Sequence, residues 1–150
     1  MKGEWLAEET AVAGRVLNIR KQGKNLVFID IQQEGERLQI MCNSNNHKGN
    51  RQFEELYSTI RRGDIIGVVG KPGRTNTEEL SIAPGELILL SPCLHMLPDP
   101  HTGFTNRESR YRKRYLDLIM NKRTRDTFLV RSKVVAFVRK YLGGLNFMEV

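Results

Sequence analysis

Residues 61–82, Arg-Arg-Gly-Asp-Ile-Ile-Gly-Val-Val-Gly-Lys-Pro-Gly-Arg-Thr-Asn-Thr-Glu-Glu-Leu-Ser-Ile, constrain the fold more than any other stretch of the chain. Gly63-Asp64 is a turn signal, Ile65 to Val69 an apolar strand, and Pro72-Gly73 a second turn. The run predicts two short β-strands joined by a basic, polar hairpin. With the strands upstream it predicts a small barrel able to present one face to a single-stranded nucleic acid.

Five strands are legible before residue 92. The first covers about Thr10 to Arg20, the second Lys24 to Gln32 and the third Arg37 to Asn43. A polar loop, Asn43 to Asn50, leads to a short helix around Gln52 to Ile60, where Phe53, Leu56, Tyr57 and Ile60 fall at helical spacing. The fourth strand is Ile65 to Gly70, and the fifth runs from Glu79 to Leu90 with an interruption at Ala83-Pro84-Gly85. This order predicts an all-β OB-fold, a five-stranded Greek-key barrel with a short helix between strands three and four.

A linker follows from Pro92, broken by Pro98 and Pro100, and two helices come next. One spans about Asn106 to Met120, with an apolar stripe of Tyr111, Tyr115, Leu118 and Ile119. The other spans about Thr124 to Leu142 and carries too many apolar residues for one buried face, so it packs on two sides or against a partner. Asn146 to Val150 reads as the start of a strand. The expected division is 1–97 as the barrel domain, 98–122 as linker and helix, and 123–150 as the opening of a second domain.

Composition excludes several classes. No apolar run approaches the ~20 residues of a membrane span, and the acidic start at Met1 to Glu9 lacks the h-region of a secretory signal. Cys42 and Cys93 fit no metal-ligand spacing, and two lone thiols point to a reducing, cytoplasmic setting. The net charge of +7 is unevenly spread: residues 1–106 hold 12 Lys and Arg against 13 Asp and Glu, and residues 107–150 hold 12 against 4. The barrel therefore needs placed contacts to bind a polyanion.

Strand phase sorts the candidate site residues. In strand two, Val27, Ile29 and Ile31 share one face, and Leu26, Phe28 and Asp30 the other. Asp30 should avoid a barrel interior, so Phe28 points outward. In strand three Gln39 points outward, opposite Leu38, Ile40 and Cys42. In strand five Leu80 and Ile82 point in, and Glu79 and Ser81 out. Arg20 closes strand one, whose own alternation is not clean. An outward Phe beside Arg, Gln and Glu suits a base-reading site: the ring stacks, and the polar groups meet base edges. An ordinary exposed aromatic among polar neighbours fits the same phase.

The remaining candidates are weaker. His47, His95 and His101 have no partner at a metal or triad spacing, and Lys71-Pro72-Gly73-Arg74 lacks the GK[ST] of a phosphate cradle. Arg110, Arg112, Lys113 and Arg114 suit either RNA backbone or salt bridges. No nucleophile–base pair is present, so no catalytic residue and no metal ligand is expected.

Several segments resemble the class II lysyl-tRNA synthetases. They are Val12-Ala13-Gly14-Arg15-Val16, Gly63 to Gly67, Glu79 to Ile82, Leu89 to Pro98 and, most specific, Glu108-Ser109-Arg110-Tyr111-Arg112-Lys113-Arg114-Tyr115-Leu116-Asp117-Leu118. The aspartyl and asparaginyl enzymes share the barrel and the Arg114 to Leu118 ending, and their specificity is an alternative. The resemblance implies an anticodon-binding barrel for lysine tRNA. In it Phe28 stacks on the middle uridine, Arg20 and Gln39 bond its edge, and Glu79 lies near a neighbouring base. It also implies that residues 128–150 begin motif 1, the dimer interface, with Phe128, Val134, Val135 and Val138 at a homodimer contact. The sequence stops before the proline that ends motif 1 and lacks motifs 2 and 3. ATP and Mg2+ are therefore implied for the full synthetase and not for these residues alone. A free-standing OB protein binding single strands without sequence preference is the other class of reading, as is a non-catalytic dimerisation module.

Overall fold

The computed structural model describes residues 4–46, 53–99 and 102–150, and the chain divides into two units, Met1–Leu97 and Pro98–Val150. In the first, five strands close into a barrel: β1 (Thr10–Gln22), β2 (Leu26–Gln33), β3 (Glu36–Asn43), β4 (Ile65–Arg74) and β5 (Leu80–Ser91). Their order around the barrel is β1-β2-β3-β5-β4, and β3 with β5 is the parallel pair. A 3-10 turn at Ser44–Asn46 and the helix α1 (Phe53–Thr59) lie between β3 and β4. Gln52, the side chain of Leu56, His47 and His101 lie outside the described residues.

Val16, Ile29, Ile40 and Ile66 are fully buried in the barrel, each contributing about 1.5–3 kcal/mol by leaving water. Tyr57 of α1 and Ile60 join the same core, as the helical spacing predicts. The alternation expected in β2 and β3 holds: Val27, Ile29 and Ile31 face inward, as do Ile40 and Cys42. The irregular phase of β1 has a cause. Its register with β2 shifts between Val16 and Asn18, a bulge that turns the strand over at Leu17. Val16 therefore faces the core on one side of the bulge, and Asn18 and Arg20 face outward on the other.

Three expectations for the barrel fail. Pro72-Gly73 is not a turn: β4 continues to Arg74, with Pro72 opposite Ile82 and Gly73 opposite Ser81. The hairpin instead turns at residues 75–79, where Thr75 N–H donates to Glu79 O and Glu78 takes φ 66°. Proline is accommodated beyond the β1 pairing, which ends at Thr10 opposite Gly70, because the short segment at residues 4–6 that lies along β4 there donates Leu6 N–H to Pro72 O. Ala83-Pro84-Gly85 does not interrupt β5; it bends it, with a register shift opposite Val69 and Gly70. Leu80 keeps the phase of Ile82 but sits at the strand end, 54% exposed.

The segments Val12 to Val16, Gly63-Asp64 and Ser91 to Cys93 meet at one corner. Gly63 N–H donates to Val16 O at 2.8 Å, and Val16 N–H donates to Asp64 O at 2.8 Å. Arg15 Nη1 donates to Gly63 O at 2.8 Å. The buried Asp64 carboxylate accepts Arg61 N–H at 2.7 Å and Cys93 N–H at 2.6 Å. Gly63 turns there at φ 96°, and a Cβ on it would lie 2.7 Å from Cys93 Sγ. These motif residues lock the barrel through hydrogen bonds.

The second unit holds α2 (Arg107–Arg112), α3 (Arg114–Met120) and α4 (Lys122–Gly144). The single helix expected from Asn106 to Met120 is broken at Lys113, at φ −114° and ψ 60°. The expected stripe holds in part: Leu118 and Ile119 are half-buried, but Tyr111 and Tyr115 are exposed. Beyond Gly144 there is no strand: Asn146 turns at φ 61° and Glu149 pairs with Arg139 at 2.9 Å. No described helix is long and apolar enough to cross a membrane.

Candidate nucleic-acid interface

Residues directly opposite each other on paired strands share a face. Register therefore writes the outer surface of the barrel as two rows. One runs from Arg20 on β1 to Phe28 on β2 and Met41 on β3. The other runs from Asn18 on β1 to Asp30 on β2, Gln39 on β3 and Ser81 on β5. The side chains knit the rows together. Arg20 Cζ lies 5.8 Å from the centroid of the Phe28 ring, and Arg20 Nη2 donates to Asp30 Oδ1 at 3.3 Å. Gln39 Nε2 donates to Glu79 Oε2 at 2.8 Å, and Ser81 Oγ donates to Gln39 Oε1 at 2.9 Å.

Phe28, Arg20, Gln39 and Glu79 thus lie on one face, as two polar clusters flanking an aromatic ring. Arg20 is the accessible cation, with its side chain 54% exposed, and Asp30 holds it beside the ring. Gln39 faces outward but is only 5% exposed, because Glu79 and Ser81 bond to both ends of its amide. One amide N–H of Gln39 lies outside these two bonds. Asn18, Asp30 and Ser81 are the polar members not chosen from sequence. Asp30 served there only to fix strand phase, and Ser81 looked like an ordinary solvent-facing serine. The signal for both lies in cross-strand register, which a sequence does not display.

Two further groups are structural. Cys42 and Tyr57 share a buried hydrogen bond; burial pushes the Cys42 thiol up to about 12 and the Tyr57 phenol well above its ordinary value. In the second unit Asp117 is fully buried and accepts from Arg110 Nε at 2.8 Å, Arg114 Nη1 at 2.5 Å, Asn121 Nδ2 at 2.6 Å and Thr124 Oγ1 at 3.2 Å. Burial alone would raise its pKa, but donation from Asn121, Arg110 and Thr124 and the Arg110 charge hold it below the ordinary carboxylate value. Arg112 pairs with Glu108 at 2.9 Å. Three of the four basic residues weighed for RNA contact, Arg110, Arg112 and Arg114, therefore serve ion pairs inside this unit. Along α4, Phe128, Val134, Val135 and Val138 are 42%, 55%, 39% and 46% exposed, and Arg114 lies 5.7 Å over the Phe128 ring.

A family described as an OB-fold nucleic acid binding domain, of the tRNA anticodon type, matches residues 10–90. A second, tRNA synthetases class II (D, K and N), matches residues 106–150. The chain is 48% identical to a lysine–tRNA ligase of Cladosporium cladosporioides over 144 residues, 93% of this chain and 24% of the relative. It is 40% identical to a lysine–tRNA ligase of Methanospirillum hungatei over 143 residues, 95% of this chain and 28% of the relative. A probable cytoplasmic lysine–tRNA ligase of Encephalitozoon cuniculi is 36% identical over 138 residues, 92% of this chain and 26% of the relative. This chain belongs to the OB-fold anticodon-binding family, and its relatives are lysine–tRNA ligases. It spans about a quarter of the length of the three relatives named. Within that family the five-stranded barrel with α1 between β3 and β4 is the nucleic-acid-binding part, and α2 to α4 fall in the match to the class II synthetases.

Proposed function

We propose that the barrel reads the anticodon loop of a lysine tRNA as part of a lysine–tRNA ligase. The observation that carries this is the join of Arg20, Phe28, Gln39 and Glu79 on one outer face of an anticodon-type OB-fold. Phe28 stacks on the middle uridine. Arg20, held by Asp30, and the remaining N–H of Gln39 donate to its carbonyl oxygens, and Glu79 meets a neighbouring base. Recognition is placed and local, which agrees with the near-neutral charge of residues 1–106.

In the full-length ligase, ATP with Mg2+ would supply the activation that lysine needs before transfer to the tRNA, and the setting would be the cytoplasm. Among the described residues no three His, Cys, Asp or Glu side chains converge to hold a metal ion. No catalytic step is assigned to them. The exposed apolar residues of α4, Phe128, Val134, Val135 and Val138 among them, serve a homodimer contact. Sedimentation of the chain against Val134→Glu tests this: a lower mass for the variant supports the contact, and equal masses remove it.

The anticodon reading is tested by titrating a lysine-tRNA anticodon stem-loop into the chain and into Phe28→Ala. Loss of one stacked base costs about 1–3 kcal/mol, roughly 5- to 150-fold in affinity. Unchanged binding would remove Phe28 from the interface.

A further inference from the structure

The outer row that ends at Ser81 does not stop there. Ser81 on β5 is opposite Gly73 on β4, and Gly73 is bridged in antiparallel fashion to Trp5. Leu6 N–H donates to Pro72 O at 2.8 Å and Arg74 N–H to Glu4 O at 3.1 Å, so residues 4–6 lie along β4 as a short added strand. Each pairing keeps opposite residues on one face, so the row reads Asn18, Asp30, Gln39, Ser81, Gly73, Trp5. The glycine confirms where the indole lies. A Cβ at position 73 would fall 2.6 Å from Trp5 Cε3 and 2.8 Å from Cδ2, so the six-membered ring covers the outer face of β4 beside Ser81. Trp5 is half-buried: one side rests on the strand and the rest meets solvent.

Resting on the anticodon reading above, we infer that Trp5 is a second base-stacking platform on the same face as Phe28, taking a different nucleotide of the bound loop. Aromatic platforms in line on one sheet face are how OB-folds hold successive bases, since every base offers a π-face. Phe28 on β2 and the ring over β4 are three strand spacings apart, about 14 Å across the strands, and lie in neighbouring rows. That is far more than the ~3.4 Å between stacked bases, so one base cannot serve both rings. The Gln39–Glu79–Ser81 cluster lies between them, and its exposed member, Glu79, faces the intervening bases. Indole is the strongest common stacking partner for a base or a cation, and a rigid ring costs little order on binding.

The test uses the intrinsic fluorescence of the chain's single tryptophan. Lysine-tRNA anticodon stem-loop is titrated into wild type, Trp5→Ala, Trp5→Leu, Trp5→Phe and Phe28→Ala, with binding followed by anisotropy of labelled RNA and emission at the indole. The expected result is quenched Trp5 emission on binding. Affinity falls about tenfold in Trp5→Ala and equally in Trp5→Leu, which still covers Gly73 but has no π-face. Trp5→Phe restores it. If Phe28→Ala weakens binding while wild-type emission stays unchanged and Trp5→Leu binds like wild type, the inference is overturned and Trp5 only packs on β4. If wild type itself fails to bind the stem-loop, the anticodon reading falls and the role of Trp5 falls with it.

Discussion

Replacing Ser81 by alanine asks how the outer face holds the Gln39 amide. Ser81 is fully buried and donates to Gln39 Oε1 at 2.9 Å and, at 3.2 Å, to Glu79 O. Gln39 Nε2 donates to Glu79 Oε2 at 2.8 Å. The two side-chain bonds fix which way the amide points, because turning it over would set Oε1 against the Glu79 carboxylate. Alanine removes a donor and leaves Gln39 Oε1 unsatisfied at a residue 5% exposed. A net hydrogen bond is about 0.5–1.5 kcal/mol, and a stranded buried acceptor about 1–3 kcal/mol. These describe one loss from two reference states, so the expected destabilisation is about 1–3 kcal/mol rather than their sum. For a domain of this size each kcal/mol lowers Tm by roughly 4–8 °C.

The functional consequence is separate from the loss of stability. On the proposed anticodon reading, the held amide presents its remaining N–H to a uridine carbonyl; with the lock loosened, Oε1 could accept from a cytidine amino group. Preference for uridine over cytidine at the middle anticodon position should therefore shrink in Ser81→Ala. Thermal melting and titration of the two stem-loops measure both effects. An unchanged Tm would show that Oε1 does not depend on this donor. A lower Tm with the preference intact would show that the bond supports the barrel without setting the base edge.

Other outcomes follow from the same structure. Asp117→Asn removes the charge of a fully buried carboxylate held by two half-exposed guanidiniums, Arg110 and Arg114, and should cost about 1–3 kcal/mol; loss of α2–α4 helicity by circular dichroism, with the barrel intact, checks it. Because its folded pKa is depressed, Asp117 adds stability above the ordinary carboxylate value, lost as pH falls through the lower folded value. Acid titration of the helical signal should thus show α2–α4 persisting below pH ~4. Gly63→Ala forces a Cβ into a φ 96° turn and against Cys93 Sγ, and should cost at least ~1–3 kcal/mol by urea unfolding. Cys42, buried and raised to about 12, should resist a thiol reagent at pH 8 that labels the part-exposed Cys93; equal rates would mean the core opens.

The parts of the fold that were readable are those with uninterrupted alternation. β2 and β3 show their inner and outer faces directly, which is why Phe28 and Gln39 could be placed. β1 could not be phased because a bulge at Leu17 reverses its faces in mid-strand. Pro72-Gly73 looked like a turn because proline and glycine usually end strands; β4 tolerates both where β1 has ended, and Gly73 makes room for Trp5. Trp5 and Ser81 were illegible as site residues because each reaches the face through long-range pairing. The break at Lys113 goes with the Arg110–Asp117 pair: seven residues along a straight helix separate backbones by ~10 Å, and across the break Arg110 Nε reaches Asp117 at 2.8 Å.

The most direct test of anticodon reading is the affinity of the chain for a lysine-tRNA anticodon stem-loop against the same stem-loop with adenosine in place of the middle uridine. At moderate salt the uridine form should bind at least about tenfold more tightly, a difference of ~1.4 kcal/mol. Equal affinity for the two would contradict it and leave a barrel that holds single strands without reading them.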